Sequence, residues 1–437
     1  MTSNTTEIPY HFLPYVRIQY DWQLAYKQDS DNCWVAYQKD LKNTIHGSVH
    51  STKIDENNFK FESDYGFKLT PNKENKNNIK VENEKYSIEI YAPEKQLKVS
   101  GGKKRITSMG VSHLGELGVY GSTDGTLEVF ETGDGQIRRK LDGHVGDVDL
   151  AMFFPSGRVI LSGSSDTRLK IWDAIEGTCA STLVGHIGGI TSASLIDRGR
   201  NLVSCSRDGT SKLWDVPTSS IISNLTKLSR PINDSFIASS LLDSIPQSLS
   251  NSNSNINNNN NNNTSNNNNN IDEREVGTDG KTLIIAAEEG FLQAIDLRSK
   301  NMISQMNVVQ SGEKSTRSVA FNACHVHKNY IIGGDHNGSI YFWDKRNLNS
   351  PFCRLQFTNS PIHHIKANSS NSKIANSIWV TSGDGCCFLL DLDKNQIITS
   401  LSGIDTDVVT SFNIVGNQAY LTSRDSIIRC YNNLLNI

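Results

Sequence analysis

Proline supplies 10 of the 437 residues and cysteine 8, and no two cysteines are spaced as CxxC. Scattered thiols of this kind, with Cys386 and Cys387 adjacent, exclude a disulfide framework and suit reduced cysteines in the cytoplasm or nucleus. No run of 18 apolar residues exists, so no helix is expected to span a bilayer. The start, MTSNTTEIPYHF, lacks the basic and apolar regions of a secretory signal. A net charge of −3 gives no basic excess, so neither nucleic acid nor a membrane surface is an expected partner. No GxxxxGK[ST] loop is present to cradle a phosphate.

Internal repetition is what the chain does have. GHVGDVDLAMFFPSGRVILSGSSDTRLKIWD, Gly143 to Asp173, aligns without a gap on GHIGGITSASLIDRGRNLVSCSRDGTSKLWD, Gly185 to Asp215. In both, 27 residues separate the His of GH from the Trp of WD. This is the pattern of WD repeats, and it implies an all-β chain in which each unit makes one four-stranded blade of a β-propeller. By that resemblance His144, Ser162, Asp166 and Trp172 form one hydrogen-bonded relay, and His186, Ser204, Asp208 and Trp214 the next. Such relays leave no polar group of the blade unpaired.

Weaker units share a turn residue followed six positions later by an aromatic or aliphatic anchor. The pairs are Asp124 and Phe130, Glu289 and Ile295, Asn337 and Trp343, Asp384 and Leu390, and Asp425 and Tyr431. Residues between turn and anchor alternate apolar and polar, as half-buried strands do. With Asp166 and Asp208 these make seven turns, spaced 42, 42, 81, 48, 47 and 41 residues apart. Seven blades are therefore expected.

The 81-residue interval holds a nearly pure asparagine tract. From about residue 243 to 272 the composition is mainly Asn and Ser, too poor in apolar groups to offset the entropy of ordering. Strand-like runs on either side, SRPINDSFIASS and KTLIIAAEEGFLQAID, fit one blade, so the insert is expected as a disordered loop between the first two strands of blade four. The last unit ends six residues after Tyr431, without room for a fourth strand. Closure is expected from YSIEIYAP, Tyr86 to Pro93, pairing beside residues 427–431. The propeller then occupies 83–437, with residues 1–82 as a small N-terminal segment.

Little in the chain carries reaction chemistry. Cys324, His325 and His327 offer three metal ligands, but strand alternation sends Cys324 and His325 to opposite faces, so an ordinary strand end is expected. His363 and His364 diverge for the same reason. The His, Ser and Asp of the relays lack a nucleophile-elbow sequence and are expected to be structural. No enzyme activity, metal or cofactor is expected.

Binding remains. Loops on one face of a propeller are free of fold duties and available to partners. That rim is expected to carry Thr123, Asp147, Asp149, Ser165, Thr191, Arg207, His336, His363, Asp405, Asp407 and Arg424. Its four aspartates suggest an acidic patch for a basic partner.

Three stretches are more specific: RIQYDWQLAYKQDSDNCW, IDRGRNLVSCSRDGTSKLWD and EREVGTDGKTLIIA. From about Arg17 to the C-terminus they resemble the proteasomal ATPase-associated factor family. EREVGT, Glu273 to Thr278, is no part of the general WD repeat. The resemblance implies a protein that binds an AAA-ATPase subunit of the proteasome regulatory particle, as assembly chaperone or negative regulator; the chain is expected to be a monomer. Two other readings are a substrate receptor of a cullin-type ubiquitin ligase, from the WDxR box Trp343 to Arg346, and a generic WD scaffold.

Overall fold

Alternating apolar residues give each repeat two almost fully buried central strands flanked by a channel-side strand and a wet outer one. In blade two these are Leu150–Phe153, Val159–Gly163, Leu169–Asp173 and Cys179–Leu183, running from the innermost outwards. Strands two and three bury both faces because they lie between neighbouring blades. Trp172, Ile160, Val129 and Leu127 share one such interblade core. Each fully buried side chain of this size contributes roughly 1.5–3 kcal/mol.

The computed structural model describes residues 8–25, 32–53, 59–72, 75–83, 86–99, 104–239, 241, 272–308, 319–368 and 374–434. It is nearly all β. Blades one to six run over residues 106–140, 150–183, 190–227, 232–307, 321–356 and 362–401, each an antiparallel meander. The innermost strand of blade one, Ile106–Val111, packs against those of both blade two and blade seven, Val409–Val415. The ring of seven is thereby complete.

Turns between the second and third strands place their fourth residue in the left-handed region. Gly209 there has φ +75°, and a Cβ on it would lie 2.4 Å from the Leu228 carbonyl oxygen. Only glycine fits both demands. In blade two the same place is taken by Thr167, at φ +73°.

The strands around the insert are Ile232–Ser239 and Lys281–Ala287, which pair as the first two strands of blade four. The expected disordered loop, 243–272, lies outside the described residues except for Asp272.

Closure differs from expectation by one strand. The N-terminal region contributes β1 (Tyr10–Phe12), β2 (Tyr15–Ile18), β3 (Asn32–Gln38), β4 (Thr44–Lys53), β5 (Phe59–Ser63), β6 (Lys68–Pro71), β7 (Asn78–Glu82), β8 (Ser87–Tyr91) and β9 (Lys95–Lys98). It is β9, not the YSIEIYAP segment, that completes blade seven, with Ile428 opposite Leu97. Strand β8 instead pairs in parallel with the outer strand of blade six, with Ser400 opposite Ile90, and carries β7 and β6 outwards with it. The physical reason is that YSIEIYAP alternates because one of its faces, carrying Ile88 and Ile90, packs on a core. An outer blade strand is wet and shows no alternation, as IRRK of blade one, exposed throughout, illustrates.

Strand β1 adds in parallel to the outer strand of blade five, and β2 to β5 form a separate four-stranded sheet. All of this shares one hydrophobic core with blades five and six, in which Trp22, Val35 and Ile79 meet Phe357, Ile378 and Leu390. The N-terminal strands thus buttress one side of the ring.

Candidate partner-binding face

An up-and-down meander sends the second-to-third-strand turns and the interblade loops to the same end of every blade. The expected rim residues therefore share a face, and several are linked there directly. The Ser165 N–H donates to the Asp147 carbonyl at 2.8 Å, and Arg207 meets Asp149 at 3.3 Å. The Thr123 N–H donates to the Arg105 carbonyl, and the Thr191 hydroxyl to the Ile232 carbonyl at 2.6 Å. Asp407 accepts the N–H groups of Val408 and Arg424, at 2.8 and 3.0 Å.

These bonds change the electrostatics of the rim. Burial pushes Asp149 up to about 6, against the pull of Arg207. Asp407 is committed to backbone amides. Of the four aspartates, Asp147 and Asp405 are the ones whose carboxylates have no hydrogen-bond or ion-pair partner among the described residues. The rim is consequently mixed in sign, with Arg207 and Arg424 interleaved among the acids.

Beneath the rim lie the two relays. His144 Nδ1 is 2.8 Å from Asp166, its Nε2 is 2.7 Å from Ser162 Oγ, and the Trp172 indole N–H donates to that oxygen at 2.8 Å. Blade three repeats this with His186, Asp208, Ser204 and Trp214 at 3.0, 2.7 and 2.8 Å. Burial lowers both histidines below their ordinary value despite the adjacent carboxylates, so they are neutral and structural in this arrangement. Burial also opposes the Asp208 charge, but the Thr210 hydroxyl and the Ile187 and Thr210 N–H groups outweigh it and hold the carboxyl below its usual range. Blade five keeps the tryptophan but has Gly333 where the serine would be. The Trp343 indole N–H there is buried without an acceptor among the described residues.

Other sequence candidates take ordinary places. The Cys324 thiol faces the Ile284 carbonyl, and His325 Nε2 accepts the Ala367 N–H at 3.0 Å. His364 Nε2 lies 3.2 Å from the Thr410 carbonyl. Arg346, the last residue of the WDxR box, folds back onto Asp344 with contacts of 2.6 and 3.0 Å.

Two arrangements escaped the sequence reading. Arg17 of β2 reaches the blade-six turn, pairing with Asp384 and placing its Nε 3.1 Å from Cys386 Sγ, while Thr358 holds the same carboxylate at 3.1 Å. Burial pushes the Cys386 thiol up to about 12, so it stays protonated. The second is EREVGT, which docks on blade three. Asn201 Oδ1 accepts the Val276 N–H, and Lys300 pairs with the buried Glu275.

The WD domain, G-beta repeat model matches residues 135–173 and 177–215, the two units that carry complete relays. A protein of Dictyostelium discoideum named probable proteasomal ATPase-associated factor 1 is 94% identical over 437 residues, the whole of both chains. The proteasomal ATPase-associated factor 1 of Gallus gallus is 36% identical over 418 residues, spanning 95% of this chain and 98% of its own. This chain belongs to the proteasomal ATPase-associated factor 1 family. The human member is 36% identical over 423 residues, with the same coverage of 95% and 98%. Membership thus extends through the N-terminal strands and every blade, well beyond the two canonical repeats, and makes the chain a proteasome-associated WD-repeat factor.

Proposed function

We propose that this chain binds an AAA-ATPase subunit of the proteasome regulatory particle and acts as an assembly chaperone or negative regulator of the 26S particle. The observation that carries this reading is the near full-length match to proteins named for association with proteasomal ATPases. A ring of seven blades, tied internally by relays and buttressed by the N-terminal strands, is a rigid disc. Bound to an ATPase, such a disc works by steric occlusion: it covers a surface that later meets another component and must leave before docking. The loop face is the side available for this, because its outward side chains are not needed for the blades. No step of this mechanism requires an enzyme activity or cofactor.

We place the protein in the cytoplasm and nucleus as a monomer, without nucleic-acid or membrane partners. Its eight cysteines, all free thiols, are consistent with a reducing compartment. Affinity purification from cells, with partners identified by mass, tests the proposal. Recovery of regulatory-particle ATPases without core-particle subunits is expected. Recovery of an unrelated assembly, with no proteasomal ATPase, would overturn it.

A further inference from the structure

On one face of β2 the Tyr15 ring meets Phe357, at the end of blade five, edge-on with centroids 5.8 Å apart. Two residues on, Arg17 reaches Asp384 and Cys386 of blade six. Arg17 stands opposite Ala36 of β3, so Trp34 continues the same face. Gln19 fixes the backbone there: its N–H donates to the Trp34 carbonyl at 3.0 Å, and its side chain accepts the Trp34 N–H at 3.3 Å. Next to these contacts a cleft opens between the N-terminal sheet and the ring. Arg17, Tyr20 and Trp34 line one side of it, and Asp384, Ile404 and Asp405 the other.

The ring side of this cleft is held at both ends. Ser402 Oγ accepts the Trp22 indole N–H at 2.8 Å, the Gly403 carbonyl accepts Arg429 Nε at 2.6 Å, and Asp407 takes two backbone amides. Between these anchors Asp405 and Thr406 are exposed. Three lining residues carry charge. Arg17 and Asp384 cancel as an ion pair, which leaves the Asp405 carboxylate, without a partner among the described residues. Just outside, Arg429 pairs with Asp425, Asp21 accepts the Gln19 amide at 2.8 Å, and Arg424 is attached through its N–H to Asp407. Asp405, Asp407 and Asp21 therefore outnumber Arg424, and the cleft is negative on balance. Trp34 is 44% exposed and Tyr20 41%, whereas the other five tryptophans are buried. The enclosed volume is about 60 Å³, far below the roughly 300 Å³ or more of small-molecule sites, and suits the end of one side chain.

We propose that this cleft receives a lysine or arginine side chain from a segment of the protein partner. The cation sits between the Trp34 ring and the Asp405 carboxylate, and its methylene stem lies along Tyr20 and Ile404. A cation brought here gains an unpaired carboxylate and the face of an aromatic ring together, whereas an anion would meet Asp405 uncompensated. One wall is the N-terminal sheet and the other the propeller, so the site exists only where the two are docked. The N-terminal strands thereby take part in recognition as well as buttressing the ring. The site deepens the reading of the loop face as the partner side and rests on it for the source of the segment.

Because the other tryptophans are buried, acrylamide quenching of the full chain reports chiefly on Trp34. Acetyl-Gly-Arg-Gly amide and its lysine counterpart, at millimolar concentration, should protect Trp34 from the quencher. The citrulline peptide, neutral and nearly the shape of the arginine one, should not. Calorimetric affinities should fall at least fivefold in Asp405→Asn and at least tenfold in Trp34→Ala. Glu176→Gln, which removes an exposed acid at the opposite end of blade two, should change nothing. Equal protection by citrulline, no protection by either cationic peptide, or no loss in a folded Asp405→Asn chain would overturn the site. In cells, the Trp34→Ala and Asp405→Asn double variant should recover at least fivefold less proteasomal ATPase than the native chain. Equal recovery would remove the cleft from partner binding and leave the proposed function standing. Peptide binding that persists while the native chain yields no proteasomal ATPase would sink the proposed function and leave the cation site standing.

Discussion

Asn201 holds Val276 across the joint between blades three and four. Its Oδ1 accepts the Val276 N–H at 2.6 Å, and its Nδ2 donates to the carbonyls of Arg274 and Trp214 at 3.1 and 3.0 Å. One fully buried amide thus satisfies three backbone groups, of which the Trp214 carbonyl is buried and the other two are part-buried. Asn201→Ala should destabilise the protein by about 2–3 kcal/mol, because buried polar groups left unpaired cost about 1–3 kcal/mol each and some relax onto water. The check is chemical unfolding together with limited proteolysis, which should cut faster between 272 and 280. An unchanged cleavage rate would mean that EREVGT is held by something else.

Trp172 and Trp343 are both buried, yet among the described residues only Trp172 of the two has an acceptor for its indole N–H. Trp172→Phe loses a bond and leaves the Ser162 hydroxyl one partner short, with His144 still held by Asp166 and Ser162. Trp343→Phe removes a buried donor that had nothing to give up. The first should cost about 1–2 kcal/mol more than the second. Equal losses in paired denaturant titrations would show that packing alone decides the value of both residues.

The legibility of the fold follows this same chemistry. Where a relay is complete, spacing from His144 to Trp172 is dictated by bonds, so the repeat is readable in sequence. Where Gly333 replaces the serine, only the turn and the anchor Trp343 remain visible. The closing strand was the harder problem. Strand β9, KQLK, is exposed except for half-buried Leu97 and carries too short a pattern to read, whereas β8 alternates because Ile88 and Ile90 pack one of its faces on a core. The rim residues could be named from their turns, but not their pairing. That Asp149 faces Arg207, or that His363 sits on a bulge, depends on register, which no single strand encodes.

Thr167 occupies the left-handed position that glycine fills in blade three, at φ +73°. A β-branched residue there is strained by about 1–2 kcal/mol. Thr167→Gly should therefore raise stability by about 1 kcal/mol, after the larger entropy of the unfolded glycine is subtracted. Differential scanning calorimetry should show a higher Tm, and a lower one would place the strain elsewhere.

Burial lowers His325 to about 3, with His327 and Lys366 adding to the effect. A histidine held neutral in the fold but titrating near 6.5 when unfolded contributes stability above pH 6.5 that is lost as pH falls towards 3. By pH 5 this one group accounts for about 2 kcal/mol. His364, also lowered to about 3, acts in the same direction. Asp149 and Asp234, raised to about 6 by burial, act oppositely and offset part of the loss. The Tm should fall between pH 7 and pH 5. His325→Gln, which keeps an acceptor for the Ala367 N–H, should lose less than the native protein. Identical losses would remove His325 from the acid response.

Occlusion is the central claim, and competition tests it most directly. Regulatory-particle base bound to the labelled chain is titrated with core particle, and the bound fraction is read by anisotropy. Displacement is expected, with the chain leaving in proportion to the core particle that docks. A stable assembly containing the chain, the base and the core particle together would contradict it.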